Sequence, residues 1–285
     1  MSGVLYICPT PLGNLGDMTQ RSLDALRAAS VVYAEDTRVT GKLLSLFDIH
    51  TSVQRCDEAS IQARAGEVVE RVLAGETVAY CSDAGMPGVS DPGQRLIAAA
   101  REAGAPVEVL PGGTAVATAY VASGFTCPRF YFGGFFPRKE GERERVLQGL
   151  AALDAVLLFY ESPRRAGEAL QAIAHAFPHR RVALCRELTK AHEEVLVDIA
   201  PQVAQEILRR TEAGEMRGEC VIVIDAPNDE ERADAHANAA QDAASRAAEL
   251  LAEGTHTRKD ITKALQSEYG LKRNEAYAIV LEAGA

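Results

Sequence analysis

The sequence predicts an α/β protein with two consecutive α/β domains and a small helical extension. Short apolar runs typical of buried strands alternate with amphipathic helical patterns from Val4 to Asp225. The pattern restarts at Phe130, and beyond the polar, acidic stretch Pro227–Asn238, interpreted as a linker, only helical patterns occur. Two successive α/β units favour two domains that share a cleft. The predicted domains are residues 1–124, residues 125–227 and residues 239–285.

Composition favours a soluble enzyme-sized protein without a membrane segment. Of the 285 residues, 47% are hydrophobic and 25% are charged, which is ordinary for a globular chain. No apolar run approaches the roughly 20 residues of a membrane span, and MSGVLYIC at the N-terminus lacks a signal pattern. We therefore expect a cytoplasmic protein with no membrane contact. The net charge of −10 requires that any nucleic-acid contact use a local basic patch.

The six cysteines predict free thiols and neither disulfides nor a metal centre. None of them forms a C-x-x-C pair, and most lie in apolar strand-like runs. His175 and His179 have helical spacing, but Pro178 interrupts that turn and a third ligand is missing. The sequence therefore predicts no metal site.

The first half alternates regularly between strands and helices. Each predicted strand is short, apolar and followed by a loop: Val4–Cys8, Val31–Ala34, Thr77–Cys81 and Val107–Leu110. The helices have apolar residues on one face or are rich in small residues: Thr19–Ala28, Gly41–Phe47, Ile61–Leu73, Gln94–Ala103 and the segment ending near Ser123.

Three of these strands run into loops rich in glycine and proline, namely Pro9–Gly16, Asp83–Gly93 and Pro111–Ala115. Ligands of open α/β sheets bind beyond the carboxyl ends of the strands, so the repetition predicts a crevice there. The first loop has neither the dinucleotide nor the P-loop glycine pattern. Within the second loop, Asp83–Pro87 favours a ligand loop, whereas Asp91 favours a cap of the next helix.

A fourth strand ends in Glu35-Asp36-Thr37-Arg38, which carries three charged residues. A site and a helix cap at Asp36 or Thr37 explain this cluster equally well, and one residue can do both.

The second half repeats the alternation with less regular spacing. Its predicted strands are Phe130–Phe136, Ala155–Tyr160, Val182–Cys185, Glu194–Ile199 and Gly218–Asp225. Its predicted helices are Glu142–Leu153, a segment opened by Glu161–Arg165 that ends at Ala176, and Pro201–Arg210.

The extension contains helical patterns at Asp242–Leu251, Lys259–Glu268 and Asn274–Glu282, with a capping box from Thr257 to Asp260. The layout is typical of a helix-turn-helix, and residues 254–285 carry five basic against four acidic residues. A nucleic-acid contact, a helical cap and a dimerisation element all remain open for this extension.

Several motifs in the same order resemble the tetrapyrrole-methylase superfamily. In the first half these are the Pro9–Gly16 loop, AEDTR at Ala34–Arg38, SDAGMPGVSDPG at Ser82–Gly93 and PGGTA at Pro111–Ala115. In the second half they are GGFFPRK at Gly133–Lys139, FYESPRR at Phe159–Arg165, RELTKAHEEV at Arg186–Val195 and RGE at Arg217–Glu219. Within the superfamily, the chain is most similar to bacterial enzymes that methylate a cytidine ribose 2′-hydroxyl in the decoding centre of 16S ribosomal RNA. The match runs from about Val4 to Asp225, and the helices beyond it resemble that branch's small extension.

The resemblance implies a homodimer of two-domain subunits that hold S-adenosyl-L-methionine in the cleft, with 16S ribosomal RNA in the small ribosomal subunit as partner. By position, the implied cofactor-binding residues lie in the three glycine-rich loops and at two places in the second half: Pro11, Asp83, Ala84, Gly85, Val89, Thr114, Ala115, Glu161 and Leu188. The chain departs from the porphyrinogen-acting branch, because its first loop is PTPLGN rather than a G-x-G-P-G-D type. AEDTR also replaces that branch's strand-end motif, so a tetrapyrrole substrate is disfavoured.

Methyl transfer to a ribose hydroxyl needs positioning and a proton acceptor. The candidate catalytic residues are Asp36, Glu161 and Lys190, although each of them is also explained by an ordinary ion pair. A lysine base would need its pKa lowered by burial or by a neighbouring cation.

Five basic residues are predicted to contact the RNA backbone: Arg38, Arg138, Lys139, Arg164 and Arg165. Solvated surface charge is the competing explanation for these residues. Phe135 and Phe136 could stack on an unpaired base, but a core position is favoured for both. Two other functions stay open at this point, a methylase of a tetrapyrrole precursor and a non-enzymatic RNA-binding assembly factor.

Overall fold

The computed structural model describes residues 3–253 and 256–284. The chain divides into two compact units. The larger unit is built from the chain up to Leu147 together with Ala155–Asp225, and the smaller unit from Gln148–Asp154 together with the chain from Ala226 onward. Within the described ranges, no helix is long and apolar enough to cross a bilayer.

The larger unit begins with a five-stranded parallel sheet in the order β3-β2-β4-β1-β5. The strands are β1 (Val4–Ile7), β2 (Val31–Ala34), β3 (Val53–Arg55), β4 (Thr77–Cys81) and β5 (Val107–Val109). The helices are α1 (Gln20–Ala28), α2 (Thr37–Leu46), α3 (Ile61–Leu73), α4 (Gly93–Glu102) and α5 (Ala115–Ser123), and a short 3₁₀ turn lies at Leu15–Asp17.

Apolar side chains on both faces of this sheet explain why it is covered by helices on both sides. Tyr33 and Tyr80 pack in one core layer with residues of α3 and α4. Val32 and Ala79 point the other way, into a layer with residues of α1 and α2. Continuous apolar strands of this kind are typical of parallel sheets buried on both faces. The sheet is therefore rigid, and its carboxyl edge holds the loops that follow the strands.

The second sheet of the larger unit is mixed, with the order β6-β7-β10-β8-β9. Its strands are β6 (Phe130–Phe135), β7 (Val156–Glu161), β8 (Arg181–Arg186), β9 (Glu194–Ile199) and β10 (Cys220–Ile224). Its helices are α6 (Glu140–Leu150), α7 (Ala166–Ala176) and α8 (Ala200–Glu212). Only β6 and β7 are parallel, since β10 runs antiparallel to both β7 and β8. Val116 and Ala119 of α5 belong to the core layer on one face of this second sheet.

In the described part of the smaller unit, the helices α9 (Asp229–Glu253), α10 (Arg258–Tyr269) and α11 (Arg273–Ala283) pack around one apolar core. The predicted capping box of α10 is confirmed, because Thr257 accepts a hydrogen bond from the Asp260 N–H and Asp260 accepts one from the Thr257 N–H. The predicted linker Pro227–Asn238 was wrong, since α9 begins at Asp229. The reason is a second capping box, in which Asn228 and Glu231 accept hydrogen bonds from each other's N–H groups.

Three smaller differences from the sequence predictions have local causes. β3 was not predicted, because its three residues carry no alternating pattern and are only partly buried. α2 begins at Thr37 rather than Gly41, since the Asp36 side chain accepts the Arg38 N–H and caps the helix. α7 begins at Ala166, so Pro163 lies in a turn before the helix and not in its first turn.

Candidate functional site

The three glycine- and proline-rich loops converge at one place, because β4, β1 and β5 are neighbours in the parallel sheet. Thr10 of the first loop and Gly85 of the second exchange two backbone hydrogen bonds of 3.0 Å each. Gly112 of the third loop lies against the first loop, where a β-carbon would come within 2.3 Å of Pro9 Cγ. The sequence prediction of a crevice at the carboxyl edge is confirmed by these contacts.

The second loop is held in a fixed path by one carboxylate. Gly85 and Gly88 have φ values of 79° and 92°, which side chains rarely tolerate. The Asp91 carboxylate accepts the N–H groups of Gly88 and Gly93, each at 2.8 Å. Pro92 is the N-cap residue of α4, and Asp91, one residue earlier, binds the N–H of Gly93, the first residue of this helix, and fixes the loop at the same time.

A cavity of about 450 Å³ opens where the loops meet the second sheet. Ala84, Val89 and Ala115 contribute apolar lining from the loop side. Phe135 and Tyr160 contribute aromatic lining from β6 and β7. Among the described residues that line it, five are acidic and none is lysine, arginine or histidine: Glu35, Asp83, Asp91, Glu161 and Glu219. Such a lining favours a ligand that carries positive charge together with an apolar part.

Glu161 lines this cavity, and one oxygen of its buried carboxylate has no hydrogen-bond partner among the described residues. Its side chain is fully buried at the end of β7 and forms an ion pair with Arg165. Oε1 accepts the Ser162 N–H at 2.6 Å, whereas Oε2 is buried with no hydrogen-bond partner among the described residues. A buried carboxylate oxygen without a donor is costly, so this oxygen is suited to a ligand's N–H or O–H group.

Lys190 lies across the first loop and reaches the rim of the same cavity. Its Nζ donates to Glu187 at 2.8 Å and to Glu219 at 3.0 Å, and Glu219 lines the cavity. The stem packs so tightly on Gly13 that a β-carbon there would come within 2.2 Å of Lys190 Cγ. Burial acts to lower the pKa of Lys190, but the hydrogen bonds to Glu187 and Glu219 outweigh it and raise the pKa. Lys190 is therefore held as a cation and not as a free base.

The charged strand end Glu35–Arg38 lies beside the second loop. Asp36 is a helix cap, and Arg38 binds its carboxylate with Nε at 3.0 Å and Nη2 at 2.6 Å. The hydrogen bonds from Arg38 lower the pKa of Asp36 well below its usual range. The Asp36 N–H donates to Asp83 at 3.0 Å, which ties this strand end to the cavity wall.

The pKa values of Glu35 and Asp83 are raised, whereas the pKa of Asp36 is lowered. Burial raises the pKa of Glu35, and the nearby carboxylates of Asp83 and Asp91 raise it further. Burial also raises the pKa of Asp83, although the hydrogen bond from Asp36 N–H acts to lower it. Two carboxyls with raised pKa values beside one cavity are a feature typical of functional sites.

Most of the residues predicted to bind the cofactor line the cavity: Asp83, Ala84, Gly85, Val89, Thr114, Ala115 and Glu161. The exceptions are Pro11, whose neighbour Leu12 lines it, and Leu188, which is buried in the core layer around Val116. The residues on either side of Leu188 have left-handed backbone conformations, with φ of 52° at Glu187 and 66° at Thr189. This backbone directs Leu188 inward, next to the cavity-lining loops.

The residues predicted to contact RNA divide into two groups. Arg38, Arg138, Lys139 and Arg164 are exposed, and of these Arg38 pairs with Asp36 and Lys139 with Glu142. Arg165 instead turns inward to Glu161, so its side chain forms part of the site wall. The two phenylalanines also differ, because Phe136 is a core residue at 1% exposure and Phe135 is 62% exposed and lines the cavity.

Sequence reasoning missed the contribution of residues 218–221 to the cavity. They lie there because β10 pairs antiparallel with β7, which places Cys220 opposite Glu161. The start of β10 therefore meets the end of β7 at the same edge. The RGE motif at Arg217–Glu219 was a signal for this contact, but its position in space depended on the strand direction.

Comparison with known proteins agrees with this geometry. Residues 4–204 match the family model of the tetrapyrrole (corrin/porphyrin) methylases. The chain is 36% identical over 229 residues to ribosomal RNA small subunit methyltransferase I of Bacillus subtilis, covering 80% of this chain and 77% of the relative. It is 35% identical over 281 residues to the protein of the same name in Synechocystis, covering 98% of both chains. The crystal structure of uroporphyrin-III-C-methyltransferase from Thermus thermophilus has the same fold, with a TM-score of 0.54 at 20% identity over 79% of this chain and 93% of that one.

Proposed function

The chain belongs to the tetrapyrrole methylase family, in the group of the small subunit methyltransferase I relatives, and we propose that it methylates a ribose 2′-hydroxyl of 16S ribosomal RNA. The methyl donor of these methyltransferases is S-adenosyl-L-methionine. The proposed target is a cytidine in the decoding region, as the motif resemblance implies. A substrate inside the small ribosomal subunit would place the protein in the cytoplasm.

The observation that carries this proposal is the acidic cavity at the convergence of three loops. The donor combines a positively charged sulfonium and amine with an apolar adenosyl group, and the cavity lining offers carboxylates beside Val89 and Ala115. The unpaired Glu161 Oε2 is an acceptor suited to a donor N–H or O–H group. Gly85 lets the three loops pack closely around the cavity, since a β-carbon there would lie 3.0 Å from Leu12 Cδ2 and 3.3 Å from the Gly113 carbonyl oxygen. These features fit the donor, which supplies an electrophilic methyl carbon when bound.

The protein's own contribution to the reaction is positioning and charge. Asp91 keeps the second loop in place, and Glu161 fixes one end of the site through Ser162 and Arg165. Lys190, held as a cation at the rim, can bind a ribose oxygen or a phosphate of the approaching RNA. We therefore assign Lys190 an electrostatic role, and Asp36 a capping role that also orders the loop of Asp83.

The direct test is transfer of a labelled methyl group from S-adenosyl-L-methionine to small ribosomal subunits from cells that lack this protein. We expect label in 16S ribosomal RNA, on a ribose-methylated cytidine, when the RNA is digested and mapped by mass spectrometry. Uroporphyrinogen in a parallel reaction should receive no label. Label on a base, or on uroporphyrinogen alone, would refute the proposal. Retention of the donor without transfer to subunits would favour a non-enzymatic assembly factor.

The proposed RNA surface is the exposed basic group around α6 and α7. Arg138 and Arg164 form no ion pair with a described residue, and Lys139 has only an exposed contact of 3.4 Å to Glu142. Replacing Arg138 and Lys139 by alanine should weaken subunit binding and reduce its dependence on salt concentration. An unchanged salt slope would remove these two residues from the interface.

A homodimer is the proposed assembly, as the resemblance implies. β6 is an edge strand that exposes Phe130 and Tyr131, and Val121 of α5 is 75% exposed. Exposed apolar groups at a sheet edge are typical of an interface. Light scattering of the purified protein should give twice the chain mass of 30.5 kDa.

A further inference from the structure

A second cavity of about 700 Å³ lies beside the proposed donor cavity, at the carboxyl ends of β2 and β3. Glu35 lines both cavities, and it is the residue they share. The Asp36 N–H donates to the Asp83 carboxylate at 3.0 Å, and this contact links a residue that lines the second cavity to one that lines the first. A group bound in the second cavity would therefore reach the donor cavity at Glu35.

The lining of the second cavity suits an uncharged nucleoside with hydrogen-bond donors better than a phosphate. Ser60 and Arg55 already bind the two oxygens of Asp57, and Arg95 binds Glu58 Oε1 at 2.6 Å. The other Glu58 oxygen is the acceptor left for a ligand, and a carboxylate is a good acceptor for the exocyclic amine of cytosine. The arginines at its edge are already neutralised, Arg38 by Asp36 and Arg55 by Asp57 at 2.5 Å. Both guanidinium groups are largely exposed, so they can contact a backbone phosphate outside while the nucleoside lies inside.

We propose that the second cavity receives the acceptor nucleoside, turned out of its RNA strand, and that Glu35 accepts the proton of its ribose hydroxyl. This inference rests on the proposed function. The hydroxyl oxygen forms a bond to the methyl carbon as the carbon–sulfur bond of the donor breaks. The sulfur keeps that electron pair and loses its positive charge, and the hydroxyl proton moves to the Glu35 carboxylate and then to water.

The surroundings of Glu35 make it a better proton acceptor than an ordinary glutamate. Asp83 and Asp91 face it from the loop after β4, and Asp57 faces it from the end of β3. Tyr80 on β4 is buried nearby and stays neutral, since burial raises its pKa far above the usual range. Burial and the three carboxylates raise the pKa of Glu35, so its conjugate base binds a proton more tightly than usual. On its own strand end, Asp36 and Arg38 form a pair that cancels in charge.

The test compares Glu35→Gln and Glu35→Asp with the wild-type protein on undermethylated small subunits. Glu35→Gln should lower kcat, measured at a saturating donor concentration, by about 100-fold or more. The acid limb of the wild-type kcat–pH profile should disappear in Glu35→Gln, and Glu35→Asp should restore part of the rate. Glu70→Gln on α3 is the matched control, because Glu70 is exposed, lies outside both cavities and loses the same charge.

A second arm tests the cavity without turnover. Cytidine titrated into protein saturated with S-adenosylhomocysteine should shift the amide resonances around Glu35 and Ala59. Ala59→Trp, which fills the second cavity, should abolish these shifts and raise KM for subunits without changing donor affinity. The inference is refuted if Glu35→Gln keeps kcat within about threefold or keeps the acid limb, or if cytidine leaves these resonances unmoved. Wild-type protein that methylates no subunit would refute the proposed function instead, and the cytidine titration alone would then decide the role of the cavity.

Discussion

Glu161→Gln should weaken donor binding while the protein still folds. The glutamine Oε1 can still accept the Ser162 N–H, so the local backbone keeps its partner. What is lost is the negative charge opposite Arg165 and the unpaired acceptor at Oε2. A hydrogen bond to a charged group contributes about 1.5–3 kcal/mol, and each 1.4 kcal/mol is tenfold in affinity. The Kd for S-adenosyl-L-methionine should therefore rise by about 10- to 100-fold.

The assay is isothermal titration of the donor into wild-type protein, Glu161→Gln and the control Glu212→Gln. Glu212 is exposed on α8 and loses the same charge, so its donor affinity should be unchanged. Thermal unfolding must show that Glu161→Gln is folded, and the loss of the Arg165 pair should lower Tm by a few degrees. A folded Glu161→Gln that binds the donor within about threefold of wild type would refute the role of the unpaired oxygen.

Three further substitutions have defined outcomes. Gly112→Ala places a β-carbon within 2.3 Å of Pro9 Cγ, so it should separate the first and third loops. Calorimetry should then show weaker donor binding. Gly149→Ala is the control, because a β-carbon there meets open space and should leave donor binding unchanged. Glu194→Gln removes the acceptor shared by Arg210 and Arg186, and those hydrogen bonds lower the pKa of Glu194. The folded-state pKa is depressed, so wild-type stability from this residue is present at neutral pH and lost as pH falls below about 4.5. Urea titration should show a loss of about 1 kcal/mol at pH 7 and a smaller loss at acid pH, and an equal loss at both would contradict the assignment. Thr257→Ala removes the α10 cap and should destabilise the helical unit by about 1 kcal/mol. The backbone amides of α10 should then exchange faster with solvent, and unchanged exchange would contradict this prediction.

The part of the site that sequence reasoning predicted is the part made by local chain signals. Glycine and proline mark the loops after β1, β4 and β5, and parallel strands place such loops at one edge whatever their order. The sequence could therefore predict that Asp83 and Thr114 belong to a crevice without any knowledge of which strands are neighbours. Helix starts with side-chain caps, such as Thr257 of α10, could also be predicted from the sequence, because the capping residues lie within a few positions of each other.

The part that sequence reasoning missed depends on strand direction and on side-chain pairing. Residues 218–221 reach the cavity only because β10 runs antiparallel to β7, and their apolar pattern is the same in either direction. The sequence predicts Arg165 as a surface cation, but in the fold it forms an ion pair with the buried carboxylate of Glu161, four residues earlier. The start of α9 was missed for a different reason, because the reasoning required apolar periodicity and the helix begins with a polar capping box at Asn228.

The acidic site of this protein has a consequence for how it meets a polyanion. RNA phosphates are repelled by the carboxylates of Glu35, Asp83 and Glu219, so the reacting nucleoside must enter while its phosphates stay outside. The exposed cations Arg138 and Arg164 can hold the backbone there. On the proposed function, the positive charge of the donor offsets part of this acidic field, so we predict that the nucleoside binds best when the donor is already bound. The net charge of −10 disfavours RNA binding to the free protein, so we predict ordered binding in which the donor enters first.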